Sequence, residues 1–263
     1  MDPVCWVDGE IRPLGERCVG ADDSAYAEGR GCYTTARVAR GAVWLEARHV
    51  ARLVRDAGLL GLGAIDPQQV QRALAELATA AFADGDGAVR LQASRDAEGT
   101  VHLVGVPRPL GDDPPRWRAI RAPEPHDGGV LPGGPKLTNR LALALATETA
   151  RAADAQEALL FDREQRLVEG ARTNLIVRTR AGDLGTPPLA RGAVAGIARA
   201  LACDRIPELR DLDIGEADLR DASEIIAVNA LRGARPIVQL DGQPVGDAQG
   251  PALAQIVRAL ERD

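Results

Sequence analysis

Between Pro107 and Pro135 the chain carries eight prolines and repeated glycines. Proline removes a backbone donor and fixes φ, and glycine pays the largest backbone entropy, so no long helix or central strand survives that density. A chain of 263 residues interrupted there is expected to fold as two α/β units. The division places an N-terminal α/β domain at 1–110, an interdomain linker region at 111–130 and a C-terminal domain at 131–263. WRAIRAP, inside the interruption, is its one strand-like stretch.

The flanks carry alternating and helical patterns in turn. VCWVDGEIRP and CYTTARVARGAVWLEA read as hairpins turning at Asp8-Gly9 and Arg40-Gly41. From Glu46 to Leu60, Val50, Leu53, Val54 and Ala57 recur at helical spacing, and Pro67 to Ala83 follows Asp66 as N-cap. AVRLQASRD and TVHLVGVPRP complete the first half as strands. In the second half Leu137 to Ala153 reads as a helix with Lys136 at its head. ALLFD and RLVEG pair around Arg163-Glu164-Gln165, NLIVRT, SEIIAVNA and RPIVQLDG are strands, and Ala193 to Ala202 and Pro251 to Glu261 are helices. GLLGLG at 58–63 follows a helix instead of a strand, which makes it a helix stop and not a dinucleotide loop.

A net charge of -6 gives no general attraction for nucleic acid or an anionic membrane, and 3% aromatic residues leave no stacking platform for single strands. Cys5, Cys18, Cys32 and Cys203 form no CxxC pair, and His49, His102 and His126 no HxH or HxxxH. Reduced thiols and no metal are the expectation. MDPVCWVDGE lacks the basic and apolar regions of a signal peptide, and no apolar run is long enough to span a bilayer. A cytoplasmic protein is expected.

One basic residue stands apart. Lys+Arg total 32, and Lys136, in GGPKLTNR, is the only lysine. A guanidinium stays protonated at any accessible pH, whereas an amine can lose its proton and attack a carbonyl. A lysine retained by chance on the surface is the alternative on this evidence alone.

Its surroundings extend the case. GPKLTNRLALALATETARAADAQEALLFDREQRLVEGARTNLIV resembles the core of the fold-type IV, class IV aminotransferase-like enzymes, which depend on pyridoxal 5'-phosphate (PLP). HVARL, VAGIAR and VNALRGARPI extend the resemblance over most of the chain. It implies an α/β (α+β) fold of the D-amino-acid aminotransferase type: a smaller N-terminal α/β domain and a larger C-terminal, PLP-binding domain with a barrel-like sheet. It also implies that Lys136 binds PLP as a Schiff base, that Glu169 and Asn174 sit against the pyridine nitrogen, and that Arg52 and the amides at Gly196 and Ile197 hold the phosphate. Asn229 joins this set through the VNALRGARPI match. Relatives are homodimers acting on small molecules, and a homodimer is expected here. The chemistry agrees with these positions. A carboxylate such as Glu169 favours a protonated ring nitrogen, and a helix start offers N–H groups to a phosphate. His49 reads as a packing residue.

GRGCYTTARV and NALRGARP are similar to 4-amino-4-deoxychorismate lyase, where many aminotransferases of the family carry Glu and a Thr-rich loop. The implied reaction yields 4-aminobenzoate, as in folate biosynthesis, and pyruvate. Lys136 is the catalytic base and Thr34 or Thr35 orients substrate, although strand propensity alone also accounts for Thr-Thr. Arg232 and Arg235, with Tyr33, Arg95 and Arg30 behind them, are candidates to hold substrate carboxylates. The alternative is an aminotransferase on a D- or branched-chain amino acid. A non-catalytic, cofactor-storing protein would not need a sole nucleophilic amine. Two departures bear on substrate: Arg30 stands where the family often has Asp, and ASRDAEGTV lacks the Gly-Arg-Gly-Tyr loop of several relatives.

Overall fold

Asp8 and Gly9 adopt φ of 50° and 114°, and Arg40 and Gly41 50° and 73°. Both dipeptides therefore reverse the chain through positive φ, as tight hairpins require. In the computed structural model, which describes residues 3–126, 128–129 and 131–261, these turns join β1 (Val4–Val7) to β2 (Glu10–Pro13) and β3 (Cys32–Ala39) to β4 (Ala42–Val43). The short helix α1 (Ser24–Ala27) precedes β3, capped by the Asp23 side chain. Helices α2 (Glu46–Leu59) and α3 (Pro67–Phe82) follow, and then the strands β5 (Gly87–Arg95) and β6 (Val101–Arg108).

The six strands form one sheet in the order β2-β1-β6-β5-β3-β4. Strand alternation divides its faces. Cys32, Ala36, Val38, Val89, Leu91 and Leu103 bury themselves with Leu53 of α2 and Leu74 and Leu77 of α3. Each large side chain buried there contributes about 1.5–3 kcal/mol. Tyr33, Thr35 and Arg37 point the other way, together with Arg90 and Gln92, their cross-strand neighbours.

The second unit begins with β7 (Trp117–Arg121), so part of the proline-rich interruption is a sheet strand and not free linker. Helix α4 (Leu141–Ala152) crosses from β7 to the parallel β8 (Glu157–Phe161) and packs alanines 146 and 150 against Ala158 and Leu160. Then come β9 (Leu167–Gly170), β10 (Asn174–Arg178), β11 (Leu184–Thr186), α5 (Ile197–Arg205), β12 (Arg210–Asp211) and α6 (Glu216–Arg220). Strands β13 (Glu224–Asn229), β14 (Gly233–Leu240) and β15 (Gln243–Pro244) lead to α7 (Pro251–Leu260). The sheet runs β12-β11-β10-β13-β14-β7-β8-β9, with β15 on β14, and curves as a half-barrel. Mixed parallel and antiparallel pairing makes the fold α+β, as expected.

Two sequence expectations need correction. The helix expected from Leu137 starts at Leu141, and Lys136 lies before it in extended chain. The cause is backbone recruitment. Lys136 O accepts from Tyr33 N–H at 2.9 Å, and Thr138 N–H donates to Gly31 O at 2.9 Å. Pro135–Asn139 consequently groups with Met1–Asp112, and the second unit is Asp113–Gly134 with Arg140–Asp263. Likewise, the helix expected from Ala193 starts at Ile197, and residues 193–196 form the loop that enters it.

Candidate active site

In the first unit the site is built on the start of β3. Asp56 of α2 is fully buried. Its Oδ2 accepts the backbone N–H of Lys136 at 2.9 Å, and its Oδ1 accepts Nε and Nη2 of Arg55 at 2.9 and 2.6 Å. Together with the Tyr33–Lys136 backbone bond, this fixes where the lysine leaves the main chain. Its Nζ stands 5.0 Å from the centroid of the Tyr33 ring, and the Arg90 guanidinium lies 3.8 Å from the same centroid. Arg90 also donates to Gln92 Oε1 at 3.2 Å.

Thr34, one residue along, faces the core and is fully buried. Its Oγ1 accepts from Arg52 Nη2 at 2.6 Å and lies 2.6 Å from His49 Nδ1. With Arg52 donating, the hydroxyl proton points to Nδ1, which makes His49 a neutral acceptor carrying its proton on Nε2. Burial, with Arg52 nearby, holds its pKa well below the ordinary value. Thr34 therefore holds Arg52, which leaves Thr35 as the threonine on the Tyr33 face. Arg52 is buried, and desolvation brings its pKa down to about 10 despite Asp56. Among the described residues its Nε finds no hydrogen-bond partner, nor does His49 Nε2. An orphaned, buried guanidinium N–H fits an anion such as a phosphate.

Arg95, a substrate candidate from sequence, lies on β5. It sits an odd number of residues from Arg90, hence on the opposite face of β5, where its Nη1 donates to Gly61 O at 3.1 Å. Arg30 lies 3.6 Å from Glu28.

In the second unit, Glu169 and Asn174 sit on successive strands, β9 and β10, and both are buried. Glu169 Oε2 accepts from Val194 N–H at 3.0 Å and Asn174 Nδ2 at 3.3 Å, and Asn174 Nδ2 also donates to Val194 O at 2.9 Å. The pair thereby fixes the loop into α5. Gly134, at φ +60°, lies so close to that loop that a Cβ would stand 2.4 Å from Ala193 O. At Gly196 a Cβ would stand 1.9 Å from Asn174 Oδ1, so any larger residue at the helix start would have to displace the Asn174 amide. Gly196 N–H turns back to Val194 O at 2.8 Å, and the helix has no side-chain cap. The amides pointing out of the helix start therefore begin at Ile197, one residue later than the pair expected from sequence. Glu157 on β8 is also buried, with its pKa raised by burial, and accepts from Thr173 Oγ1 at 2.8 Å.

Asn229 holds a turn: its Oδ1 accepts the N–H groups of Leu231 and Arg232 at 2.9 and 2.8 Å. Arg235 Nε donates to Asp113 Oδ1 at 3.1 Å, and Arg232 Nη1 lies 3.6 Å from Asp113 Oδ2. Both arginines are thus engaged with one carboxylate. Sequence patterns single out neither Asp56 nor Arg90, and Val194 enters only as part of VAGIAR. Only strand parity, setting Arg90 two residues before Gln92 and across from Thr35, offered a signal for Arg90.

Residues 31–240 match the family described as Amino-transferase class IV, and the chain belongs to that family. The family is PLP-dependent, and PLP is the cofactor of this enzyme. A bifunctional aminodeoxychorismate lyase / D-amino acid transaminase of Mycobacterium tuberculosis is 30% identical, covering 91% of this chain and 92% of its own. A D-alanine aminotransferase of Staphylococcus aureus is 26% identical over 98% and 96%. The crystal structure of the branched-chain aminotransferase of Thermoproteus uzoniensis with norvaline superposes with a TM-score of 0.86 at 26% identity, covering 99% of this chain and 94% of that one. Among the described residues no helix is long and apolar enough to cross a membrane, and no group of three His, Cys, Asp or Glu could hold a metal.

Proposed function

We propose that this enzyme converts 4-amino-4-deoxychorismate to 4-aminobenzoate and pyruvate. The Tyr33 face of the first sheet carries this reading: Tyr33, Thr35, Arg37 and Arg90 share it, with the Lys136 amine over the ring. Two guanidinium groups on one face suit a substrate with two carboxylates better than a simple amino acid with one. Arg232 and Arg235 are further candidates, reserved in this structure by Asp113.

Lys136, Arg52, Glu169, Asn174 and the Ile197 amide are the residues we assign to holding PLP. PLP, when bound, stabilises negative charge on the carbon that bears the substrate nitrogen. Lys136 removes the proton from that carbon, and the neighbouring C–O bond to the enolpyruvyl group breaks. The ring becomes aromatic, and the departing enol takes up a proton to become pyruvate. Thr35 orients the substrate by hydrogen bonding, and Asp56 keeps the lysine backbone in register. Glu169 favours a proton on the cofactor's ring nitrogen. D-amino-acid transamination is the second reading, favoured by the bifunctional relative, and there the same amine would move a proton from Cα.

The test is incubation of the PLP-loaded enzyme with aminodeoxychorismate. Pyruvate, read by a coupled dehydrogenase, and fluorescent aminobenzoate should appear in equal amounts. Neither product, with D-alanine and a 2-oxo acid exchanging amino groups instead, would replace the lyase by the transaminase.

A further inference from the structure

Cys5 and Cys18, thirteen residues apart in sequence, come together in the first unit with their Sγ atoms 3.7 Å apart. Cys5 lies on β1, fully buried, its Sγ 3.6 Å from Pro13 O. Cys18 is partly exposed, in a stretch without regular structure between β2 and α1, with its Sγ 3.2 Å from Glu16 O. A disulfide requires the sulfurs to approach by about 1.6 Å more. The irregular backbone around Cys18 can supply that shift, because no helix or ladder hydrogen bond has to break. Among the described residues Cys5 and Cys18 are the pair of thiols in contact, and Cys32 and Cys203 are free. Burial pushes the Cys32 thiol up to about 12 and raises that of Cys203, which disfavours the thiolate at both.

We infer that Cys5 and Cys18 form a reversible intramolecular disulfide, a modification site that ties the loop before α1 to β1. The reaction is exchange with a low-molecular-weight disulfide. The thiolate of Cys18, the accessible partner, attacks one sulfur and expels the first small thiol. Cys5 then loses its proton and attacks Cys18 Sγ, and the second small thiol leaves. Two protein thiols are oxidised and one external disulfide is reduced to two thiols. Cys5 is desolvated and beside Cys18, which pushes its thiol up to about 11. It therefore serves as the resolving group and not as the first nucleophile.

The bond would close a ring holding the β1–β2 hairpin and anchor the segment leading into GRGCYTT. Its entropic gain falls on the open chain, as for any cross-link.

The experiment treats the full-length, PLP-loaded protein with oxidised glutathione and counts thiols after denaturation. The count should fall from four to two. Trypsin, which cuts between the two cysteines at Arg17, should leave their peptides linked until reductant is added. Cys18→Ser should abolish the link, whereas Cys203→Ser should leave it intact. Cys5→Ser, if it folds, should retain glutathione on Cys18. Four surviving thiols in the wild type, or a link found only between two chains on a non-reducing gel, would overturn the inference.

Discussion

Asp56 has no exposed surface, and its two oxygens are taken up by Arg55 and the Lys136 amide. Replacing it by Asn keeps the shape and removes the charge-assisted bonds. We expect Asp56→Asn to lower stability by about 1–3 kcal/mol in urea unfolding followed by circular dichroism. Because the amide it holds belongs to Lys136, kcat should fall as well. Lys136→Arg keeps a cation over Tyr33 and loses the amine that can give up its proton. Activity should drop about 10²–10⁴-fold or more. Borohydride should no longer fix a pyridoxyl group on the peptide carrying this position. Arg90→Met should raise KM for a dicarboxylate substrate about tenfold, with kcat less affected, as expected when binding is lost evenly in ground and transition states.

At the scale of elements, β3 sorts two adjacent threonines to opposite faces, one into the Arg52–His49 network and one beside Tyr33. The start of α5 shows the same economy of space. Gly196→Ala would drive a methyl group into Asn174 and disturb the Glu169–Asn174–Val194 set. PLP affinity should weaken about ten- to a hundredfold in an absorbance titration, about 1.4–2.7 kcal/mol. The folded apo-protein should survive, because the clash is with a side chain that can yield.

At the scale of the whole molecule, two histidines pull stability in opposite directions with pH. His49 has its folded pKa depressed by burial below 6.5. The unfolded chain then binds the extra proton first, so stability present above 6.5 is lost as pH falls through the folded value. His102 lies 2.8 Å from Asp8 and 3.2 Å from Asp96, which raise its pKa, so its contribution is present below 6.5 and is lost as pH rises. His102 is nearly a third exposed, and solvent screening leaves its contribution the smaller. Acidification from about pH 7 to about pH 5 should therefore lower the urea midpoint. His49→Asn, which keeps an acceptor for Thr34, should flatten that dependence.

What the sequence determined by itself was local and periodic: the two hairpin turns, the amphipathic helices, the strand alternation, and a single lysine within a run of family-like motifs. Those features need only neighbouring residues, because side-chain spacing carries the pattern. The tertiary structure decided what depends on contacts between distant segments. It set Lys136 against Asp56 and Tyr33 in place of a helix start, because backbone groups of residues 136–138 find partners on Asp56, Gly31 and Tyr33 that periodicity cannot register. It put Arg95 on the face of β5 opposite Arg90, engaged Arg235 and Arg232 with Asp113, and brought Arg90 over the Tyr33 ring. Cys5 and Cys18 make the same point: scattered in sequence, they meet because a hairpin folds the chain back on itself.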